Sequence, residues 1–265
     1  MRHLASILIC LVTFGGQARA WGPEGHVVVA MVAEDRLSPA TRQAVRKVLS
    51  GAPLATAALF ADEYRATHPE TTRWHFVDVP FDSASFYGAR DCKIEVTGDC
   101  IISAIERAKA MIKDPDTKPS DRADALKYLV HFVGDLHQPF HAIERLQANG
   151  KGDEGGNKVD VKFFDDRTNL HALWDSGLIL HTALSAEDYA QHLKQDTLPT
   201  IKESEWRNGT PIEWAMESHA AAKLAYVDDN AVLGQSYFDA NIGVVDRRLA
   251  LAGARLAMIL EELFK

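Results

Sequence analysis

Cysteine is scarce in this 265-residue chain, which carries only Cys10, Cys92 and Cys100. That excludes a disulfide-dense scaffold and a metal site built from thiolates alone. No apolar run reaches the length needed to span a bilayer, and Ile9 stands before Cys10 where a lipoprotein signal wants a small residue, so no membrane anchor is expected. Linkers rich in Pro, Gly or Ser, internal repeats and low-complexity tracts are all missing, which favours one domain over several tethered ones. Basic charge is short as well: 29 Lys and Arg face 37 Asp and Glu, for a net charge of −8. Broad electrostatic tracking along a nucleic-acid backbone is therefore not expected. A small site made cationic by bound metal is compatible with that balance.

The first twenty residues read as a secretory signal. Arg2 and His3 precede an apolar stretch at 4–14, and Ala18-Arg19-Ala20 places small residues where a signal peptidase inspects the chain. Cleavage after Ala20 divides the sequence into a signal (1–20) and one domain (21–265), exported to the periplasm or the exterior. It removes Arg2 and Arg19 and no acid, taking the net charge from −8 to −10. Of the cysteines only Cys92 and Cys100 remain, and an oxidising compartment predicts a disulfide between them. Cleavage also makes Trp21 the new N-terminus. A free α-amine is a metal ligand when neutral, its neighbouring carbonyl can close a chelate ring, and His26 follows five residues later.

The rest of the chain is punctuated as helix. Pro23 opens a helix at 24–37, Ser38 and Pro39 one at 40–49, and further helices are expected at 55–64, 101–113, 122–136, 170–180 and 241–264. Thr210, Pro211 and Glu213 form a capping box. Residues 73–79 read as extended, and 158–164 alternate as a strand after Gly155-Gly156. The fold class is all-α, a single domain with a short β-hairpin.

His131 and Asp135, four apart on a helix, share one face. His171 and Asp175 repeat the spacing, and His141 lies beyond the break at Pro139. Asp62 and His75 sit on other elements. With the Trp21 amine and His26, nine candidate ligands are available. Nitrogen and carboxylate oxygen without thiolate suit zinc, and the same donors also serve nickel, copper or manganese. Carboxylates gathered in a fold need compensating positive charge, which metal ions supply.

Six segments then form a pattern: WGPEGH at 21–26, ADEYR at 61–65, WHFVD at 74–78, HFVGDLHQPFH at 131–141, GGN at 155–157 and NLHALWD at 169–175. Their wording and order resemble the S1/P1 family of single-strand-preferring zinc nucleases. The resemblance implies three zinc ions: one on Asp62, His75, His131 and Asp135; a neighbour on the amine and carbonyl of Trp21, His26 and the shared Asp135; a third on His141, His171 and Asp175. It further implies endonuclease action on single-stranded DNA and RNA, with mononucleotides as additional substrates of a 3′-nucleotidase activity. Hydrolysis of the bond between phosphorus and the 3′ oxygen leaves 5′-phosphate ends. Arg65 is implied as a catalytic donor to the phosphate, Phe76 as a base-stacking ring and Asp78 as an acceptor for the base edge. On an ideal strand Phe76 points away from His75, so this role requires a bend.

Two rivals are carried alongside. A zinc phospholipase C shares the fold and cluster, but usually has Glu where Asp175 stands. A non-catalytic exported metal-binding protein would need a further protein ligand at the third site. His137 faces away from Asp135 and is read as structural, while His68, His181, His192 and His219 are read as lacking a partner at ligand spacing. Asn208-Gly209-Thr210 is a glycosylation sequon, meaningful only in a eukaryotic secretory host.

Overall fold

The computed structural model describes residues 21–265, so the signal segment lies outside the described residues. The chain after Trp21 is apolar on nearly every side, and helix α1 (Pro23–Arg36) accordingly runs through the interior, with Val28, Val29, Ala30, Val32 and Ala33 fully buried. Pro23 occupies its first turn, where a missing N–H costs nothing. Ser38 caps α2 (Pro39–Val48) by accepting from Thr41 N. Then come α3 (Phe60–Arg65), α4 (Gly88–Asp91), α5 (Ile101–Lys113) and α6 (Pro119–His137).

After a small sheet, one continuous helical stretch is made of α7 (Leu170–Ala172), a π turn (Leu173–Gly177) and α8 (Leu178–His181). The chain finishes with α9 (Ala186–His192), α10 (Glu203–Arg207), α11 (Pro211–Ala225) and α12 (Gln235–Leu263). Helix α1 packs against α12, and α6 against α5, α11 and α12, so α1 and α6 meet in the centre. The expected capping box at α11 is present. Among the described residues no helix is long and apolar enough to cross a membrane.

The hairpin joins β1 (Asp160–Phe163) to β2 (Asp166–Asn169), antiparallel, with Phe163 opposite Asp166. A third strand, β3 (Ala231–Leu233), adds to β1 in parallel, an addition to the expected hairpin. The Asn169 side chain ends the hairpin and caps α7 by accepting from Ala172 N at 2.7 Å, which sets His171 in the first helical turn.

Three sequence expectations shift. The helix expected at 55–64 is a 3₁₀ turn (Leu54–Ala57) followed by α3. The extended reading of 73–79 holds only from Phe76, because a 3₁₀ helix opened by Pro69 (Pro69–His75) carries Trp74 and His75. The closing helix begins at Gln235, ahead of the expected position 241. The Cys92–Cys100 disulfide is formed.

Candidate metal centre

Helix α6 delivers His131 and Asp135 on one buried face, and three other elements meet them there. His75, at the end of its 3₁₀ helix, brings Nδ1 to 3.0 Å from Asp135 Oδ2 and 3.2 Å from His131 Nε2. His131 Nε2 lies 3.2 Å from the same Oδ2. Asp62, on α3, places Oδ1 3.8 Å from His75 Nδ1 and 3.9 Å from His131 Nε2. From α1, His26 stacks on His131 with ring centroids 3.8 Å apart and sets Nε2 3.1 Å from the other Asp135 oxygen. Gly134 makes that approach possible, since a Cβ there would stand 2.9 Å from His26 Nδ1. Trp21 is fully buried beside this cluster, and the next residue is tied down by Gly22 N–H donating to Asp175 O at 2.7 Å.

The second gathering joins His141, on the 3₁₀ turn Pro139–Ala142, to His171 and Asp175. Asp175 stands in the π turn, with its oxygens 3.6 Å from His141 Nε2 and 3.5 Å from His171 Nε2. Three imidazoles are held alike: Nδ1–H of His131, His141 and His171 donates to the carbonyls of Ala58, His75 and Gly155, each at 2.7 Å. Such a bond fixes the tautomer and leaves Nε2, with its lone pair, facing inward.

Charge in this space is unbalanced. Burial lowers His75 to about 4 and lowers His26, His141 and His171 as well. Burial opposes the charged form of His131 too, but Asp135 and Asp62 outweigh it and raise that ring. Burial would lift Asp135, yet His131 and His26 hold it well below the ordinary carboxylate range. Asp175 is pushed well above that range by burial, which His171 and Gln138 only partly offset. His141 Nε2 and Asp175 Oδ2 are buried without a hydrogen bond, and His26 Nε2 and Asp135 Oδ1 face each other without hydrogen-bond geometry. Buried polar atoms left unsatisfied in a native fold call for an ion or water, and these nitrogen and carboxylate donors fit a divalent cation.

The remaining candidates surround the centre. Arg65 lies one turn past Asp62, with Nη2 2.8 Å from Asp62 Oδ1. The bend required at Phe76 is present: His75 ends the 3₁₀ helix and Phe76 starts the extended segment, with Val77 N–H donating to His141 O at 2.8 Å. Phe76 and Asp78 are half-buried on that segment. His137 takes no part, because Nδ1 donates to Val133 O at 2.8 Å and Nε2 accepts from Arg255 at 2.9 Å.

One reading is corrected. His192 does have an acid at ligand spacing: Nδ1 is 2.9 Å from Asp196 Oδ2, while Nε2 is 3.4 Å from Asp246 Oδ2. The two acids use opposite ring nitrogens at the surface, so this pair is a hydrogen bond and not a chelate.

Two supporting residues escape sequence reasoning. Gln138, fully buried just past α6, donates from Nε2 to Asp175 Oδ1 at 2.5 Å and accepts from Phe140 N. Gly155 supplies the carbonyl that holds His171, and does so at a φ of +57°, where a Cβ would fall 2.4 Å from Phe140 O. The GGN wording was the only signal for it. Gly155→Ala is expected to lose about 1–3 kcal/mol of stability through backbone strain and overlap. A chemical-denaturation midpoint equal to that of the wild type would show that the turn relaxes freely.

Fold and site together define a helical protein with a buried, histidine- and carboxylate-lined candidate metal centre. The chain belongs to the S1/P1 Nuclease family, which it matches over residues 21–265. It is 31% identical to Nuclease S1 of Aspergillus oryzae, covering 97% of this chain and 94% of that protein. With Nuclease P1 of Penicillium citrinum it shares 32% identity over 92% of this chain and 97% of that one. Endonuclease 1 of Arabidopsis thaliana is 29% identical, over 98% and 92%. The protein is a nuclease, and so a hydrolase acting on nucleic acid.

Proposed function

We propose that the protein is an exported, zinc-dependent endonuclease that cleaves single-stranded DNA and RNA to 5′-phosphate ends and also acts as a 3′-nucleotidase. The observation that carries this reading is the convergence of eight histidines and aspartates in a buried space, where inward atoms of His26, Asp62, Asp135, His141 and Asp175 lack hydrogen-bond partners. Asp62, His75, His131 and Asp135 would hold one zinc; the Trp21 amine and carbonyl, His26 and Asp135 a second; His141, His171 and Asp175 a third. Bound zinc supplies Lewis acidity at the phosphoryl oxygens and lowers the pKa of water to near ~7.

The chain's own groups do the rest. Asp135 turns one oxygen to His26 and the other to His75 and His131, the posture of a bridging carboxylate. Arg65, beside Asp62, donates charge-assisted hydrogen bonds to the phosphate. Phe76 stacks on a base, worth about 1–3 kcal/mol for any base type, and Asp78 accepts from the base edge. Stacking needs a base free of its neighbours, which favours single strands. The relatives named above are nucleases and endonucleases, which favours nucleic acid over lipid as the diester.

Dialysis against a chelator is expected to abolish hydrolysis of single-stranded DNA, and Zn²⁺ to restore it with three ions per chain. Metal-free protein that keeps full turnover would sink the proposal.

Base binding should also depend on pH. Burial raises Asp78 to about 6, against the pull of Arg73, with Glu95 and Asp91 adding negative charge around it. Asp78 is charged above that value and neutral below it, so KM for a dinucleotide should rise as pH falls through about 6. The matching substrate with an abasic tetrahydrofuran residue should show no such rise, and parallel profiles would remove Asp78 from base binding.

A further inference from the structure

Beneath Phe76 and Asp78 lies a residue to which the fold gives no catalytic part. Arg73 donates from its backbone N to Thr97 O at 3.0 Å and from Nε to Asp99 O at 3.2 Å. Its Nη2 reaches 3.3 Å from Asp78 Oδ2, and its guanidinium carbon sits 5.7 Å from the centre of the Phe76 ring. Thr97 and Asp99 belong to the loop closed by Cys92–Cys100. That loop is fixed elsewhere too, since Asp99 pairs with Arg107, which covers Trp74 at 4.9 Å, and just past it Ile101 N–H, opening α5, donates to Phe76 O at 3.1 Å. A disulfide-closed loop thus grips the chain on both sides of His75, and Arg73 carries that grip to the two groups assigned to the base.

We propose that Arg73, anchored by the Cys92–Cys100 loop, is the positioning residue of the base pocket and makes it a reader of unpaired bases of any identity. The inference rests on the roles proposed above for Phe76 and Asp78. A guanidinium held at Nε by a backbone carbonyl has little freedom to swing, so it fixes Asp78 in one orientation with Oδ2 engaged. Oδ1 is then the acceptor turned to substrate, beside a ring backed by a cation. Each nucleobase carries at least one N–H on its Watson–Crick edge, whereas in a duplex that edge is occupied. One aimed acceptor and one ring therefore ask whether a base is unpaired, and not which base it is.

The test uses the zinc-loaded protein with dinucleoside monophosphates carrying each base in turn, and with the abasic analogue. Arg73→Leu should raise KM for all the dinucleotides about tenfold, with kcat within about twofold, zinc content unchanged and the abasic substrate unaffected. Arg73→Lys keeps the charge but cannot span Asp99 O and Asp78 together, so it should raise KM a few-fold in the same substrate-selective way. Cys92→Ser with Cys100→Ser should reproduce the pattern. Phe76→Ala is the control for the underlying reading. If it raises KM while both Arg73 variants match the wild type, Arg73 does not position the pocket. If Phe76→Ala and Asp78→Asn also leave KM unmoved, there is no base pocket here and the reading beneath the inference fails with it.

Discussion

A form of the protein that keeps a single residue ahead of Trp21 is expected to lose activity by at least about 10²-fold, more than the loss usual for disturbing a ligand's outer partners. The extra residue turns the amine into an amide, whose nitrogen offers no lone pair to a metal at neutral pH. Nor can the segment shift to compensate. Trp21 is fully buried, a Cβ on Gly25 would lie 3.0 Å from its own Cβ, and Gly22 N–H is committed to Asp175 O. The measurement is kcat/KM together with zinc per chain, expected to fall from three to two. Undiminished turnover with three zincs bound would remove Trp21 from the ligand set.

Asp135→Asn should be the most damaging single substitution in the centre. The two carboxylate oxygens serve different partners, Oδ1 toward His26 and Oδ2 toward His75 and His131. The amide keeps the shape but replaces one oxygen with an NH₂ group that cannot ligate, and it removes the charge that offsets the cations. Two metals should be lost, with a fall in kcat/KM of about 10³-fold or more, on the scale of removing a principal electrostatic group. His26→Ala should cost one metal and a smaller factor. Equal activity and equal zinc content in the two purified variants would count against a bridging Asp135.

The candidate ligand pairs were legible because a helical period sets residues four apart on one face, as His131–Asp135 and His171–Asp175 show. The same spacing relates His192 to Asp196, a pair the sequence reading passed over, and spacing alone is silent about which way a face looks. Burial separates them: the Asp135 side chain is 0% exposed and that of Asp196 68%. The atoms that aim the rings left almost no trace in the sequence, because Ala58 O, His75 O and Gly155 O are backbone carbonyls brought in from distant segments. The apolar residues at 73–79 read as extended, but the segment through His75 is a 3₁₀ helix opened by Pro69 and contacted by the Cys92–Cys100 loop, which also hid Arg73. Strand β3 is too short for any periodicity to announce it.

The unpartnered imidazole and carboxylate atoms are buried, contributed by α1, α6 and the elements packed around them. An unsatisfied buried polar atom costs about 1–3 kcal/mol, and a ligand that binds only the native state stabilises it by an amount that grows with the logarithm of its free concentration. Under the proposed reading, zinc is therefore a structural ration as well as a reagent. In a metal-poor medium the enzyme would fail by unfolding and proteolysis, so its working lifetime outside the cell would track local zinc supply.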